Sequence, residues 1–309
     1  MFTFTASKPQ RFKRASLLIV GCGDVGLRVA RRLAGRWRLL ALTTHHERAT
    51  ELRAAGIVPL LGDLDRPGTL QRLGGLADAV LHLAPPPAHG GGDARTANLL
   101  RALARRAGVR RIVYASTSGV YGDCGGARID ETRRAHPATE RARRRLDAER
   151  RLRWYGRAMG VRASVLRVPG IYAPDRAGGD PRRRVLDGAP RLAAADDVYT
   201  NHIHADDLAR ACIAALHRGA AQRIYHASDD SASKTGDWFD RVADLCGLPR
   251  LPRMTRAQAE ATLSPTQLSF LGESRRLDNR RLKRELRLRL AYPTLDAAFG
   301  PRASQPLDR

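Results

Sequence analysis

The stretch SLLIVGCGDVGLRVARRLAG, residues 16–35, decides how this chain folds. Four apolar residues, Leu17 to Val20, run into a glycine-rich turn, after which Val25, Val29 and Leu33 recur at helical spacing. The pattern is strand, turn, helix. Gly21, Gly23 and Gly26 form G-x-G-x-x-G in the context where that spacing carries meaning, directly after a strand and opening a helix. The first glycine allows the tight turn, the second lets backbone approach a pyrophosphate, and the third lets helix and strand pack closely. Helix N-terminal amides then bind the phosphate. A dinucleotide is the expected ligand, and the alternative is an empty structural turn.

The same alternation continues outward. RLLALTT (38–44) reads as a second strand, ATELRAAGIVPLLGDL (49–64) as a helix and a third strand, and DAVLHLAPP (78–86) as a fourth strand stopped by proline. ANLLRALARRAGVRRIVYAST (97–117) adds a helix and a strand, RASVLRVPGIYAP (162–174) a strand and a Pro/Gly turn, and RIYHAS (223–228) a late strand. Strands that are apolar throughout, rather than at every second residue, argue for a parallel sheet covered on both faces. Residues 175–197 are rich in Gly, Pro and Arg and read as loop with one short helix. After Ser231 the pattern becomes helical, in TGDWFDRVADLCG (235–247) and RMTRAQAEATL (253–263).

Length and composition set the outer bounds. A chain of 309 residues, 43% apolar, can bury one large core or a large core with a smaller appendage. No run approaches the roughly 18 uninterrupted apolar residues of a membrane helix, so a soluble protein is expected. The basic residues before Leu17 mimic a signal peptide, but the apolar run breaks at Asp24 without a small-x-small cleavage site. Cys22, Cys124, Cys212 and Cys246 show no C-x-x-C pair and no zinc-finger spacing, so no metal site is expected, and they read as free thiols of a reducing cytoplasm. The net charge of +24 suggests a nucleic-acid partner. Only Lys8, Lys13, Lys234 and Lys283 are lysines, however, and the arginines are scattered over many helices. Solvated helix faces are the favoured explanation.

The carboxylate that reads an adenosine ribose should fall near Ala41 to Thr44, at the end of the second strand, and none of these residues is acidic. Thr43 and Thr44 are followed by His45, His46 and Arg48, so a 2′-phosphate is tolerated and NADP is slightly favoured over NAD. Ordinary loop residues are the competing reading. Asp63 has two readings of equal weight, an adenine contact and a helix N-cap.

These motifs together resemble the extended and atypical short-chain dehydrogenase/reductases, including the NAD-dependent epimerase/dehydratase group. The resemblance rests on VGCGDVG, GDL, LHLAPP, TANLLRAL, RIVYASTSGVYG, DET, RVPGIYAP and NHIHADDLARA, in order over residues 16–230. SRRLDNRRLKREL and YPTLDAAF resemble the family's C-terminal end. By this resemblance the cofactor is held at Gly21, Gly23, Asp24, Val25, Gly26, Thr43, Thr44, Asp63, Leu64, Leu83, Ala84, Pro169 and Ile171. The hydroxyl that polarises the substrate oxygen is then Thr117.

The family's Tyr and Lys are missing. Counting back from RLDAE places them on Arg141 and Arg145 in HPATERARRRLDAER (136–150). Arginine does not release a proton near neutral pH, so Arg141 is not the general acid. Arg145 can still hold a ribose hydroxyl or lower a neighbour's pKa, and the pair can clamp a carboxylate or phosphate. The alternative is two surface arginines in an Arg-rich helix. The family's helix asparagine falls on Gly92, and Asn98 matches a packing position. Tyr121, Tyr172, His202 and His204 are the candidate substitutes for the acid, a structural role being the favoured reading of each.

The expected architecture is α/β, a Rossmann-type doubly wound parallel sheet with a small C-terminal substrate lobe. Residues 1–14 form an extension, 15–230 the NAD(P)-binding domain with 174–197 contributing to the lobe, and 231–309 the lobe and tail. The expected function is an NAD(P)-dependent oxidoreductase or epimerase/dehydratase-like protein with altered acid catalysis. Its substrate is a small carbonyl or hydroxyl compound or a sugar nucleotide. The alternatives are a non-catalytic NAD(P)-binding sensor and, supported by charge alone, a non-specific nucleic-acid binder. A cytoplasmic location is expected, with a small-molecule substrate as partner and a homodimer left open, and with no membrane and no specific nucleic acid.

Overall fold

The computed structural model describes residues 14–300, so all but the last residue of the expected N-terminal extension lies outside the described residues. The first half runs β1 (Ser16–Val20), α1 (Asp24–Leu33), β2 (Arg38–Thr43), α2 (Arg48–Ala54), β3 (Val58–Leu61) and β4 (Ala79–His82). It continues through α3 (Ala94–Ala104), β5 (Arg111–Thr117), β6 (Arg128–Ile129), α4 (Glu140–Ala158) and β7 (Arg162–Val168). The second half holds β8 (Gly170–Tyr172), α5 (Pro181–Leu186), β9 (His202–His204), α6 (Ala205–Arg218) and β10 (Ile224–His226). Then come α7 (Thr235–Cys246), α8 (Arg256–Thr262), α9 (Pro265–Leu271), β11 (Arg276–Leu277), α10 (Arg280–Glu285) and α11 (Leu295–Phe299).

Seven strands form one sheet in the order β3-β2-β1-β4-β5-β7-β10, every neighbour parallel. Because successive strand residues face opposite sides, Leu17 and Ile19 enter one apolar layer while Leu18 and Val20 enter the other. The first layer is closed by α1 and α6, through Val29, Leu33, Leu208 and Cys212, and the second by α3 and α4, through Leu99, Leu103, Ala148 and Leu152. β1 and β4 are buried at every residue, which is why they read as uninterrupted apolar runs.

A third apolar cluster lies apart from the sheet layers. Tyr172 and Val185 join Trp238, Phe239 and Val242 of α7 and Leu295 of α11 there. The chain then returns, because Leu282, Leu286 and Leu288 pack into the layer beside α1 and α6.

One expectation fails locally. VPGIY, read as a turn, forms β8, which pairs in parallel with β9 through Gly170↔His202 and Tyr172↔His204. Two three-residue strands thirty residues apart leave no periodic trace. Their closeness depends on Gly170, where an added Cβ would stand 2.9 Å from His202 Cδ2.

Much of the positive surface is tied up in pairs, among them Arg95 with Asp65, Arg151 with Asp147 and Arg250 with Asp244. The four cysteines are free, and Cys22 and Cys212 are buried. Among the described residues, no helix is long and apolar enough to cross a membrane.

Candidate functional site

The strand order reverses at β1: β2 and β3 lie on one side of it, β4, β5, β7 and β10 on the other. Parallel sheets bind ligands in the crevice that opens at such a reversal, outside the carboxyl ends of the strands. The Gly loop leaves β1 at that point.

Its three glycines do different things. Gly21 has φ +88°, and a Cβ there would meet the Ala84 backbone nitrogen at 2.5 Å. Leu83 and Ala84 both donate their N–H to the Val20 carbonyl, at 2.7 and 3.0 Å, which locks the end of β4 against the loop. Gly26 is tight, since a Cβ there would stand 3.3 Å from Ile19 Cγ2 and from Cys22 Sγ. Gly23 faces open space, nothing lying within 4 Å of a Cβ placed on it. The loop is thus closed where it touches protein and open where a pyrophosphate would lie.

Asp24 and Val25 begin α1. The Asp24 carboxylate is already engaged, accepting from Arg28 Nε at 3.0 Å and Arg176 Nη1 at 2.8 Å, and Val25 is buried. Arg28, also buried, reaches on to Asp175 and Asp206. What these two residues can offer a ligand is their backbone amides.

At the end of β2, Thr43 is buried, its hydroxyl accepting from the His45 N–H at 3.3 Å, while Thr44, His45 and His46 are exposed. Arg48 crosses from α2 to donate through Nη2 to the Cys22 carbonyl at 2.9 Å. A guanidinium therefore stands between the Gly loop and the end of β2. Asp63 Oδ1 caps the following turn by accepting from the Asp65 N–H at 2.9 Å. Leu64 is buried, and its carbonyl accepts from Asn98 Nδ2 at 2.8 Å, a packing contact.

The opposite wall is the end of β5 and the start of α4. Thr117 caps a short 3-10 turn, Ser118–Tyr121, by accepting from the Gly119 N–H at 3.2 Å. Thr139 starts α4 in the same way, accepting from the Ala142 N–H. Arg141 lies exposed in the first turn. One turn later, Arg145 points into the wall, with Nη1 at 2.8 Å from the Ala115 carbonyl, 3.1 Å from the Tyr114 hydroxyl and 3.5 Å from the Ala84 carbonyl. Arg145 thus joins the ends of β4 and β5 beside Ala84. A Cβ on Gly92 would lie 2.8 Å from Asp147 Oδ2, which accepts the Asp93 N–H.

The four candidate acids turn inward. Tyr121 is 2% exposed, pairs with His226 Nε2 at 2.6 Å, and burial pushes its phenol up to about 12. Tyr172 is as deeply buried, and burial raises it too. His202 is stacked on Trp238 and pushed down to about 3 by burial. His204 is lowered by burial as well, and its Nδ1 accepts the Asp206 N–H to cap α6. Pro169 and Ile171, at the end of β7 and in β8, are half-buried.

A residue outside the sequence candidates reaches the same wall. A methyl on Gly119 would stand 3.5 Å from Thr117 Oγ1 and 4.0 Å from Glu273 Oε2, so Glu273 faces Thr117 across Gly119. It is held there by Arg275, at 2.7 Å, which also donates to the Gly122 carbonyl. The segment that carries it is tied down by the Ser274 N–H donating to Asp123 Oδ1 and by β11 pairing with β6. SRRLDN, one residue on, was the only available signal. A cavity of about 620 Å³ near Arg72, Leu76 and Arg105 lies among segments leading into β4 and β5, at the opposite end of the sheet from the Gly loop.

Residues 17–227 match the NAD dependent epimerase/dehydratase family. Among solved structures, a functionally unknown conserved protein from Silicibacter pomeroyi DSS is 30% identical, with 93% of this chain and 97% of that one covered and a TM-score of 0.77. A double mutant of the dTDP-glucose 4,6-dehydratase DesIV from Streptomyces venezuelae, with NAD bound, is 22% identical over 92% and 94% of the two chains, TM-score 0.73. UDP-glucose 4-epimerase from Thermotoga maritima, solved with UDP-glucose, is 18% identical over 92% and 96%, TM-score 0.75. No curated protein matches the chain.

Proposed function

This chain belongs to the NAD dependent epimerase/dehydratase family, and from that premise we propose that it binds a nicotinamide dinucleotide at the Gly loop. We further propose that it acts on a small hydroxyl or carbonyl compound or a sugar nucleotide. The observation that carries the reading is the contrast between Gly21, sealed against Ala84, and Gly23, open to the cleft. The solved dehydratase and epimerase neighbours, bound to NAD and to UDP-glucose, support the ligand classes.

When bound, the nicotinamide ring supplies a hydride acceptor or donor. The amides of Asp24 and Val25 hold the diphosphate at the positive end of α1. Arg48, with Thr43 and Thr44, would favour a 2′-phosphate and hence NADP; Leu64 and Asp63 would border the adenine, and Leu83, Ala84, Pro169 and Ile171 the ribose and ring. Arg145 takes the place of the family's lysine, holding a ribose hydroxyl and the strand ends together without exchanging a proton. Thr117 donates to the substrate oxygen. Glu273 accepts the proton of a substrate hydroxyl, the base that Arg141 does not provide. The lobe around Trp238 and Leu295 is the proposed substrate side, with the domain boundary kept near residue 230, and the cytoplasm the proposed location.

A sensor that binds the dinucleotide without turnover is the second reading, favoured by the burial of Tyr121, Tyr172, His202 and His204. Titration of reduced nicotinamide fluorescence, followed by a panel of sugar nucleotides and carbonyl compounds, separates the two. Binding with turnover supports the enzyme, binding with none across the panel supports the sensor, and no saturable binding sinks both.

A further inference from the structure

At the β10 edge of the sheet, on the face covered by α4, a cavity of about 240 Å³ lies between β7, β10, α4 and the segment after β6. Its wall carries five arginines: Arg133, Arg134, Arg150, Arg153 and Arg167. The two carboxylates beside them are already engaged. Glu149 accepts from Arg167 Nε at 3.1 Å, from Arg167 Nη2 at 2.7 Å and from the Ser116 hydroxyl at 2.5 Å. Glu131 accepts the His226 N–H at 2.9 Å and faces Arg281 at 3.4 Å.

The cations are not matched in the same way. Arg167 is 3% exposed and its Nη1 has no hydrogen-bond partner of good geometry, the guanidinium lying instead 4.6 Å from the Tyr121 ring centre, while Arg153 Nε is buried without a partner. Arg133, Arg134 and Arg150 are exposed to solvent, and no side-chain hydrogen bond or ion pair joins them to another described residue. A buried guanidinium donor is normally satisfied, and the five guanidinium groups outnumber the two carboxylates in the wall, so the excess positive charge favours a further anion among them. Planar forks of this kind match the oxygens of a phosphoryl group, each taking one or two N–H donors. The volume admits a phosphoryl group with a small organic stub and is too small for a dinucleotide.

We infer that this cavity is a binding site for a small dianion of the phosphate class, either inorganic phosphate or the phosphoryl group of a small ester, with Arg167 at its floor and Arg150 and Arg153 at its side. The site is separate from the Gly loop, which opens between β1 and β4. It is nonetheless joined to the candidate catalytic wall, because Glu149 holds Ser116, the residue before Thr117, and the Arg167 guanidinium lies 4.6 Å from the Tyr121 ring centre.

The test is calorimetric titration of the full chain with inorganic phosphate and, separately, with glycerol phosphate, at ionic strength held constant with sodium chloride. The site predicts saturable binding of at least one probe. If only phosphate saturates, the ligand is the free anion, and if only glycerol phosphate does, it is an ester. The variant is Arg150→Gln with Arg153→Gln, which leaves the Arg167–Glu149 pair intact and touches nothing at the Gly loop. It is expected to weaken the saturating probe about tenfold or more, the loss of one charge-assisted fork, while nicotinamide binding and the melting temperature without added anion stay at the parent values. Absence of saturable binding by either probe overturns the inference. So does unchanged affinity in the double variant, which would place the anion on other arginines or in the Gly loop.

Discussion

The Gly loop and the first turns of α4 form facing walls of one crevice, and they are built on opposite principles. The loop works by the absence of side chains: Gly21 is glycine because Ala84 leaves no room for a Cβ, and Gly23 leaves room for a ligand. α4 works by a side chain that reaches out, Arg145 touching acceptors on two strands. A wall made of missing atoms tolerates no addition. A wall made of a long, flexible cation can be exchanged in parts, and we propose that Arg141 and Arg145 stand here where the family has its tyrosine and lysine.

Two substitutions in the loop test that contrast most severely. Gly21→Val forces a β-branched residue into φ +88° against the Ala84 backbone, and is expected to cost about 4 kcal/mol or more of stability, read as a lowered midpoint in chemical denaturation. A Cβ at position 23 has no atom within 4 Å, so the midpoint of the Gly23→Val variant should stay within about 0.5 kcal/mol of the parent. Its affinity for reduced nicotinamide dinucleotide should nevertheless fall about a hundredfold or more, since the isopropyl group fills the space left for the diphosphate. Equal destabilisation by the two changes would show that the open side of the loop is not a ligand space.

On the α4 wall the expected effects are smaller. Arg145→Ala removes the hydrogen bond to the Ala115 carbonyl and the cation beside Ala84, at about 1 to 2 kcal/mol in stability and about tenfold in dinucleotide affinity. Arg145→Lys should recover most of the affinity if the role is that of a positioned cation. A lysine variant as weak as the alanine one would mean that the bridging geometry of the guanidinium, rather than its charge, is what the cofactor side needs.

How far each wall could be read from sequence follows from the same difference. The sheet was legible because Leu17 to Val20, Ala79 to His82 and their relatives carry continuous apolar runs, and the loop because its geometry is settled within six residues. Arg145 was found only through the spacing of the resemblance, which says where a residue stands and not which acceptors it meets. Glu273 was not found, since its approach to Thr117 depends on β11 docking on β6 nearly 150 residues away. The β8–β9 pair and the insertion of Asp147 beneath Gly92 were hidden for the same reason. The burial of Tyr121 and its pairing with His226 are likewise recorded by no local pattern.

The buried imidazoles give the α4 side a pH dependence that the loop lacks. His82 and His226 are both held down to about 3 by burial, with Arg145 close to the first and Arg167 to the second lowering them further. A folded pKa below the ordinary 6.5 means that the unfolded chain takes up protons first as pH falls. The stability these histidines contribute is therefore complete above about pH 6.5 and is lost progressively as pH drops toward 3. Asp229 acts the other way, since burial raises it to about 7; its contribution is present below about pH 4 and lost as pH rises through 7. Denaturation midpoints for the parent and for His226→Gln, measured between about pH 4 and 8, should show a shallower acid slope in the variant. Identical slopes would mean that His226 is charged in the folded protein.

The smallest expected effect decides where the crevice ends. Arg141 stands exposed in the first turn of α4, at the positive end of the helix dipole, where a cation is unfavourable. If it is a surface residue, Arg141→Gln should raise stability by about 0.3 to 0.5 kcal/mol, offset by whatever contact the side chain now makes, and leave dinucleotide and substrate affinities unchanged. If instead it faces the bound ligand, as the spacing from Arg145 predicts, the same change removes a guanidinium from an anionic group, and affinity for that ligand falls while the helix still gains. The two readings differ in the sign of coupling between stability and binding, so denaturation and titration of one variant suffice to separate them. A gain in stability with no loss of affinity would end the catalytic wall at Arg145 and leave Thr117, Arg145 and Glu273 to carry its chemistry.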